Sequence, residues 1–507
     1  MITRKVPPLN TSENETPEQE IARLKKALAE RDSKITKLTN EVLYLRRVLF
    51  GRSSEKFIPE DANQLTLAFE GEDILPEEQE AKPEEITITY TRKKDNQNKP
   101  LREAIPAHLR REEVTIEPEN IPEGSVRIGE EVTEKLEYNP GEVYVKRTVR
   151  PKYALPKGEG IIIAELPSQV LPRSNAGASL LAQLLVSKYI DHLPFYRQLD
   201  IFKRQDVHLA ASTVNDWFAD TVDLLKPLYE TLKRQVLASD YIQIDESTIP
   251  VVDKDKPGAT RKGYHWIVKS PMQNQLFFHY QHGSRAQYVV VELLRNFQGA
   301  VQSDAYGAYN IYENKKGVLL LGCLAHSRRK FEISLKNDPE RAGFALKIIQ
   351  SLYAIEREAE ELNLSHEQIK TLREEKSYPI LKDFEKWIYA EYEKVLPKSL
   401  IGQALAYSYN IYPRLVRYVL DGRYKIDNNG AENGVRGLAL GRKNYLFCGN
   451  DQAAVRTAMI YSLLGSCKAA NINPFAWLTD VLKRIPDHSI IRLQELLPAN
   501  WKPIEKE

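Results

Sequence analysis

The chain is poor in cysteine, with three in 507 residues: Cys323, Cys448 and Cys467. No two form a CxxC pair, so a disulfide framework is excluded, no cysteine-based zinc site is expected, and a reducing compartment fits. No stretch of about 18 consecutive apolar residues occurs, which predicts no transmembrane helix and no membrane partner. The first residues, Met1 to Pro8, carry charge with no apolar run behind it, so a secretory signal is not expected. Excess charge of one sign is also missing: 72 Lys+Arg face 70 Asp+Glu, a net charge of +2. Only the local segregation of acids and bases is informative.

With 42% hydrophobic and 28% charged residues, the composition is that of a globular protein. The length predicts several modules. Residues 1–17 read as a disordered tail. From Ile21, apolar residues recur through Leu24, Leu28, Ile35, Leu38, Val42, Leu45 and Leu49. This 3.5-residue spacing predicts a coiled coil over 18–50 and, through it, a homodimer or higher oligomer. A charged linker follows over 51–103, acidic first and then basic from Arg92.

Residues 104–170 alternate with period two, as in Val143-Tyr144-Val145-Lys146, and predict a small β-rich module. Residues 171–236 turn helical. A break at Gln205–Leu209 separates two helices, the second opening at Ser212, Thr213 and Asn215. That order suits a helix-turn-helix, with these three polar residues as candidate DNA contacts. A bare helical pair reads the same way.

From 240 the pattern becomes three short strands (Tyr241–Asp245, Gly263–Lys269, Gln275–Tyr280), a helix (286–297), a strand ending at Asp304 and a fifth strand at 318–323. A charged helical stretch over about 337–422 comes next, then a helix carrying Glu432, then helices over 451–507. Strand-end acids at Asp245 and Asp304, with Glu432 on a late helix, fit an α/β catalytic core of RNase H-like type with a helical insertion, spanning 237–450. In-line phosphodiester chemistry wants two hard cations about 3.5–4 Å apart. Mg²⁺ takes oxygen ligands and keeps several waters, so a few carboxylates suffice. Asp240, Glu246 and Asp427 compete for these roles. Most acids at strand ends only cap turns.

Several segments resemble, in order, the transposases of the insertion sequence 66 family, bacterial DDE transposases. They are Leu45–Lys56, Ile105–Leu109, Ser187–Tyr189 with His192–Arg197, Asp245–Thr248, Ser303–Tyr306, Cys323–Phe331, Asp427–Asn433 and Leu440–Phe447. The resemblance implies Asp245, Asp304 and Glu432 as catalytic and metal-binding residues for two Mg²⁺ or Mn²⁺ ions. It also implies binding of double-stranded DNA, strand cleavage and strand transfer, accessory proteins from the same element and a place in the bacterial cytosol at the nucleoid. Arg442, Lys443, Arg436, Arg328, Arg329 and His326 are the expected phosphate contacts, with ordinary surface ion pairing as the alternative and, for His326, a satisfied core histidine. Family members often carry paired cysteines in a finger-like module. Here those positions hold none, so no structural zinc is expected there and the β module must hold by its own apolar core. Gly430, Gly434 and Gly437 lower helix propensity around Glu432, which predicts a helix that is short or ordered only on DNA. A DNA-binding protein that does not cut and a nuclease that does not join are the alternatives.

Overall fold

A computed structural model describes residues 105–503, except 140, 157–159, 284 and 305. The expected tail, coiled coil and linker lie outside the described residues.

The first element is a four-stranded sheet. Strands β1 (Arg111–Thr115), β2 (Val126–Asn139), β3 (Glu142–Ala154) and β4 (Ile161–Ile163) assemble around β3. Strands β2 and β3 form a long antiparallel hairpin, while β1 runs parallel to β3. The expectation of a self-sufficient core here is corrected. Leu136, Val143 and Val145 are buried in one cluster with Ala176, Leu180 and Leu184, and Leu136 exchanges backbone hydrogen bonds with Asn175 and Gly177 at 2.5 and 2.6 Å. Val126, Ile128 and Val132 of β2 remain exposed, although Val132 shares the face of Leu136. One apolar face cannot be buried without a second layer, and the neighbouring helices provide it.

Those helices are α1 (Ala178–Tyr189), α2 (Phe195–Lys203), α3 (Ala211–Leu224) and α4 (Lys226–Leu237). In α3, Val214, Trp217, Phe218 and Val222 point inward. Ser212 and Asn215 face solvent at its first turn and Thr213 is half-buried.

The central sheet has β5 (Tyr241–Val252), β6 (Thr260–Ser270) and β7 (Gln275–Gln281), then helix α5 (Gln287–Leu293), β8 (Gly299–Gln302) and β9 (Val318–Leu321). Its order is β7-β6-β5-β8-β9. Pairs β5–β6 and β6–β7 are antiparallel; β5–β8 and β8–β9 are parallel. Strand β5 does not end at its acid, as expected, but runs on to Val252. Its pairing with β8 stops at Gln243; β6 accompanies the second half on one side, and Cys448 bridges Val251 on the other. Pro250 is tolerated there because its carbonyl, and hence its missing N–H, faces away from β6.

Helix α6 (Leu324–Ser334) leads into the insertion: α7 (Pro339–Glu361), α8 (His366–Leu372), a π-helical turn (Arg373–Ser377), α9 (Tyr378–Tyr392) and α10 (Leu400–Leu415). The insertion has a separate apolar core, including Ile349, Leu352, Phe384 and Leu405, that also takes in Phe331 of α6 and Ile426. The chain then forms α11 (Asn429–Tyr445), α12 (Asp451–Ala469) and α13 (Pro474–Arg484). Helix α12 covers the outer edge of β7. Ser462 Oγ accepts from Phe278 N at 2.7 Å and Ser466 Oγ from Leu276 N at 3.1 Å, so hydroxyls occupy positions where a further strand would bond.

Candidate active site

Strands β5 and β8 pair in parallel with Gln243 opposite Gln302. Along β5, period-two alternation turns Asp245 to the face used by Gln243; Asp304 follows two residues after the end of β8, and its charge acts on Asp245. Because β8 has ended by then, the acids lie where the sheet opens.

Helix α11 brings the third acid, and both of its ends are fastened to β5. Before the helix, Asn428 Nδ2 donates to Ile244 O at 3.0 Å. After it, Cys448 N donates to Pro250 O and Val252 N to Cys448 O, each at 2.9 Å. Between these, Arg442 Nη1 donates to the Thr248 carbonyl and, at 2.8 Å, to Thr248 Oγ1. The strand carrying Asp245 and the helix carrying Glu432 are therefore one mechanical unit.

The expectation of a short Glu432 helix is corrected: α11 runs 17 residues without a break. A β-carbon at Gly430 would overlap Gln243 Oε1, and one at Gly434 would overlap Ile267 Cδ1. The glycines let the helix lie close on the sheet, and this packing offsets their poor helix propensity.

Below the acids is a buried amide cluster that composition and motif reading missed. Gln302 Oε1 accepts from Tyr241 Oη at 2.6 Å and Gln243 Nε2 at 2.9 Å. Gln302 Nε2 donates to the carbonyls of Gly322 (3.0 Å) and Lys425 (2.7 Å), and Gln243 Nε2 to that of Asp427 (2.9 Å). These bonds tie β5 and β8 to the chain entering α11. The available signal was a glutamine at an inward position on each of two apolar strands.

The rival acids are engaged. Glu246, its side chain 2% exposed, is held by Arg285 and accepts from Tyr309 Oη at 3.0 Å. Asp427 accepts from Tyr353 Oη at 2.6 Å and Asn429 Nδ2 at 2.8 Å. Asp240 pairs with Arg423 at 2.6 Å. Among the described residues, Asp245 accepts a hydrogen bond only from its neighbour's amide, Glu246 N, at 2.8 Å. Desolvation pushes its carboxyl well above the usual carboxylate range, and the charges of Glu246, Asp304 and Glu432 push it further. A cation would relieve that repulsion, and carboxylate oxygens are the hard donors that Mg²⁺ or Mn²⁺ takes, but among the described residues these three carboxylates do not form a group whose oxygens all lie within 4.8 Å of one another.

Glu432 meets α6 on its other side. Arg329 Nη2 lies 3.1 Å from Oε2, and His326 Nδ1 lies 3.5 Å from Oε1. Arg328 instead pairs along its own helix with Glu332 at 2.9 Å. Arg436 is half-buried on α11 and Lys443 is exposed. Arg442 does not stand free for a phosphate through Nη1, which is bonded to β5 as described.

The described chain is thus a mixed α/β protein with a carboxylate cluster at the open end of a five-stranded sheet. Residues 173–456 match the family described as Transposase IS66 family, residues 462–499 its C-terminal element, and residues 37–114 the family described as Transposase C of IS166 homeodomain. The chain belongs to the IS66 family of transposases. It is similar to three proteins of Sinorhizobium fredii (strain NBRC 101917 / NGR234). Uncharacterized protein y4hP is 30% identical over 92% of this chain and 89% of its own length. Uncharacterized protein y4jD is 30% identical over 92% and 94%, and uncharacterized protein y4qI 30% over 96% and 92%. Among the described residues no helix is long and apolar enough to cross a membrane.

Proposed function

We propose that this chain is a DNA transposase that cleaves the ends of an insertion sequence and joins them to target DNA at Asp245, Asp304 and Glu432. The observation that supports this reading is that the charges of Asp304 and Glu432 both act on the buried Asp245, with the Glu432 helix pinned at both ends to the strand that carries Asp245. The sheet order, three antiparallel strands followed by two parallel ones, supports an RNase H-like core.

In this reading Asp245, Asp304 and Glu432 hold two divalent cations of the Mg²⁺ or Mn²⁺ class. When bound, such a cation supplies Lewis acidity at the scissile phosphate. The protein's own contribution is positioning. Gln243 and Gln302 fix the approach of α11, and Arg442 locks that helix to β5 beside Asp245. Outward-facing Ser212, Asn215 and Lys443, with Thr213, take DNA phosphates, which dominate affinity. A dimer through 18–50 would bring two element ends together.

The test is strand cleavage and joining on the element's own end DNA with Mg²⁺ or Mn²⁺. Wild type is run beside Asp304→Asn and Glu432→Gln. Metal-dependent nicking lost in both variants, with DNA binding kept, is the expected result. Activity surviving in either variant would remove that residue from the site.

A further inference from the structure

The cluster on the far side of Glu432 is chemically unlike the three acids. Cys323 Sγ, His326 Nδ1 and a Glu432 carboxylate oxygen all lie within 4.8 Å of one another. Cys323 caps the N-terminus of α6 and His326 is in its first turn, so a Cys-x-x-His spacing turns both side chains toward α11. Among the described residues His326 Nδ1 and Glu432 Oε1 are buried atoms without a hydrogen-bond partner, an arrangement that ordinarily costs free energy. Arg329 occupies Oε2, which leaves Oε1 as the available donor.

We infer that Cys323, His326 and Glu432 form a binding site for a borderline-soft divalent cation of the Zn²⁺ or Co²⁺ class, separate in chemistry from the three-carboxylate set. Two nitrogen or oxygen ligands each about 2.0–2.1 Å from a tetrahedral ion stand about 3.4 Å apart. His326 Nδ1 and Glu432 Oε1 are 3.5 Å apart. Sulfur and imidazole select Zn²⁺ and Co²⁺ over Mg²⁺. Three protein ligands leave a fourth position for water. Asn428 N already donates to Cys323 Sγ at 3.2 Å, which steadies a thiolate and orients it. The expectation of no cysteine-based site considered cysteine pairs alone. Here one cysteine is completed by a histidine on its own helix turn and by a carboxylate distant in sequence.

Occupancy would draw Glu432 Oε1 toward α6 and away from Asp245 and Asp304. Zn²⁺ should therefore inhibit Mg²⁺-dependent cleavage, a consequence that rests on the function proposed above. The binding itself does not rest on it.

The test is optical. The full-length chain, reduced and stripped of metal with a chelator, is titrated with Co²⁺. A thiolate-to-cobalt charge-transfer band in the near ultraviolet is expected, with strong visible bands of a tetrahedral ion. Zn²⁺ should abolish the bands and excess Mg²⁺ should leave them. Cys323→Ser, whose hydroxyl can still accept from Asn428 N, should lose the charge-transfer band. His326→Gln should weaken Co²⁺ affinity by about tenfold or more. Circular dichroism checks that each variant is folded. A folded wild type without the band, or a band that survives Cys323→Ser, overturns the inference. A band with no DNA cleavage would refute the transposition reading alone, and cleavage with no band would refute the cation site alone.

Discussion

Replacing Gln302 with methionine keeps the side chain's length and removes its amide from the centre of the buried cluster. The carbonyls of Gly322 and Lys425 lose their donors, and the Tyr241 hydroxyl loses its acceptor. Gln243 keeps its bond to the Asp427 carbonyl. Two carbonyls left unpaired cost about 1–3 kcal/mol each, while the Tyr241 hydroxyl still accepts from Lys425 N at 3.0 Å and loses only the acceptor for its own proton. Partial relaxation and the gain from burying an apolar side chain bring the net loss to about 3 kcal/mol, or about 3 °C in Tm. The larger effect should be on function. Gln302 bonds the chain two residues before Asp427, where the approach to α11 is set. A displacement of Glu432 by about 1 Å would cost on the order of 100-fold in rate. The assay pairs urea unfolding with Mg²⁺-dependent nicking, using DNA binding as the control. Stability within about 1 kcal/mol of wild type and unchanged nicking would refute the claim that the cluster positions the site.

Gly430→Ala should also misplace the helix, because the added methyl meets Gln243 Oε1. Nicking should fall about tenfold or more with DNA binding intact, and unchanged nicking would show that the helix has room to shift. His265 is fully buried, with Nε2 3.0 Å from the Ala454 carbonyl, and desolvation lowers its pKa to about 4. The unfolded chain takes up this proton first on acidification, so stability falls between pH 6.5 and 4, by about 2 kcal/mol from pH 7 to pH 5. His265→Gln should flatten that slope in urea midpoints measured at the two pH values; an unchanged slope would refute the assignment. Lys188 sits with its Nζ 3.9 Å from the ring centroid of Phe195, and burial lowers its pKa to about 8. The folded state releases this proton before the unfolded one, so stability should rise between pH 8 and 10.5. Lys188→Met should remove that rise and stabilise the protein at pH 7 by about 2 kcal/mol, once the lost cation–π contact is subtracted. A variant less stable than wild type at pH 7 would show that the aromatic contact outweighs desolvation.

The strands, the order of the elements and the helix bearing Glu432 were legible because each carries a period or an acid that sequence alone displays. The extent of β5 was not. After Asp245 the residues Glu246, Ser247, Thr248 and Pro250 break the apolar pattern, and the strand persists through β6 on one side and Cys448 on the other. These are contacts of long sequence separation. The glycines of α11 misled for the same reason: propensity is a local quantity, whereas Gln243 and Ile267 come from the sheet. The β hairpin looked self-sufficient because alternation says which face is apolar and nothing of what covers it.

The insertion illustrates where function enters a region that sequence leaves blank. Arg373 is buried and donates to the carbonyls of Tyr418, Asp421 and Tyr424, at 3.0, 2.9 and 2.9 Å, while its guanidinium pairs with Glu356 at 2.5 Å. Tyr353 of α7 bonds Asp427. The approach to Glu432 is thus held from one side by the glutamines of the sheet and from the other by the insertion. A charge buried this deeply contributes little net stability but is costly to strand. Its value here is geometric, because three carbonyls fixed by one planar guanidinium cannot shift independently. The helical block is therefore part of the apparatus that sets where Glu432 lies, and a lesion more than fifty residues before that glutamate in sequence should be felt at the acids.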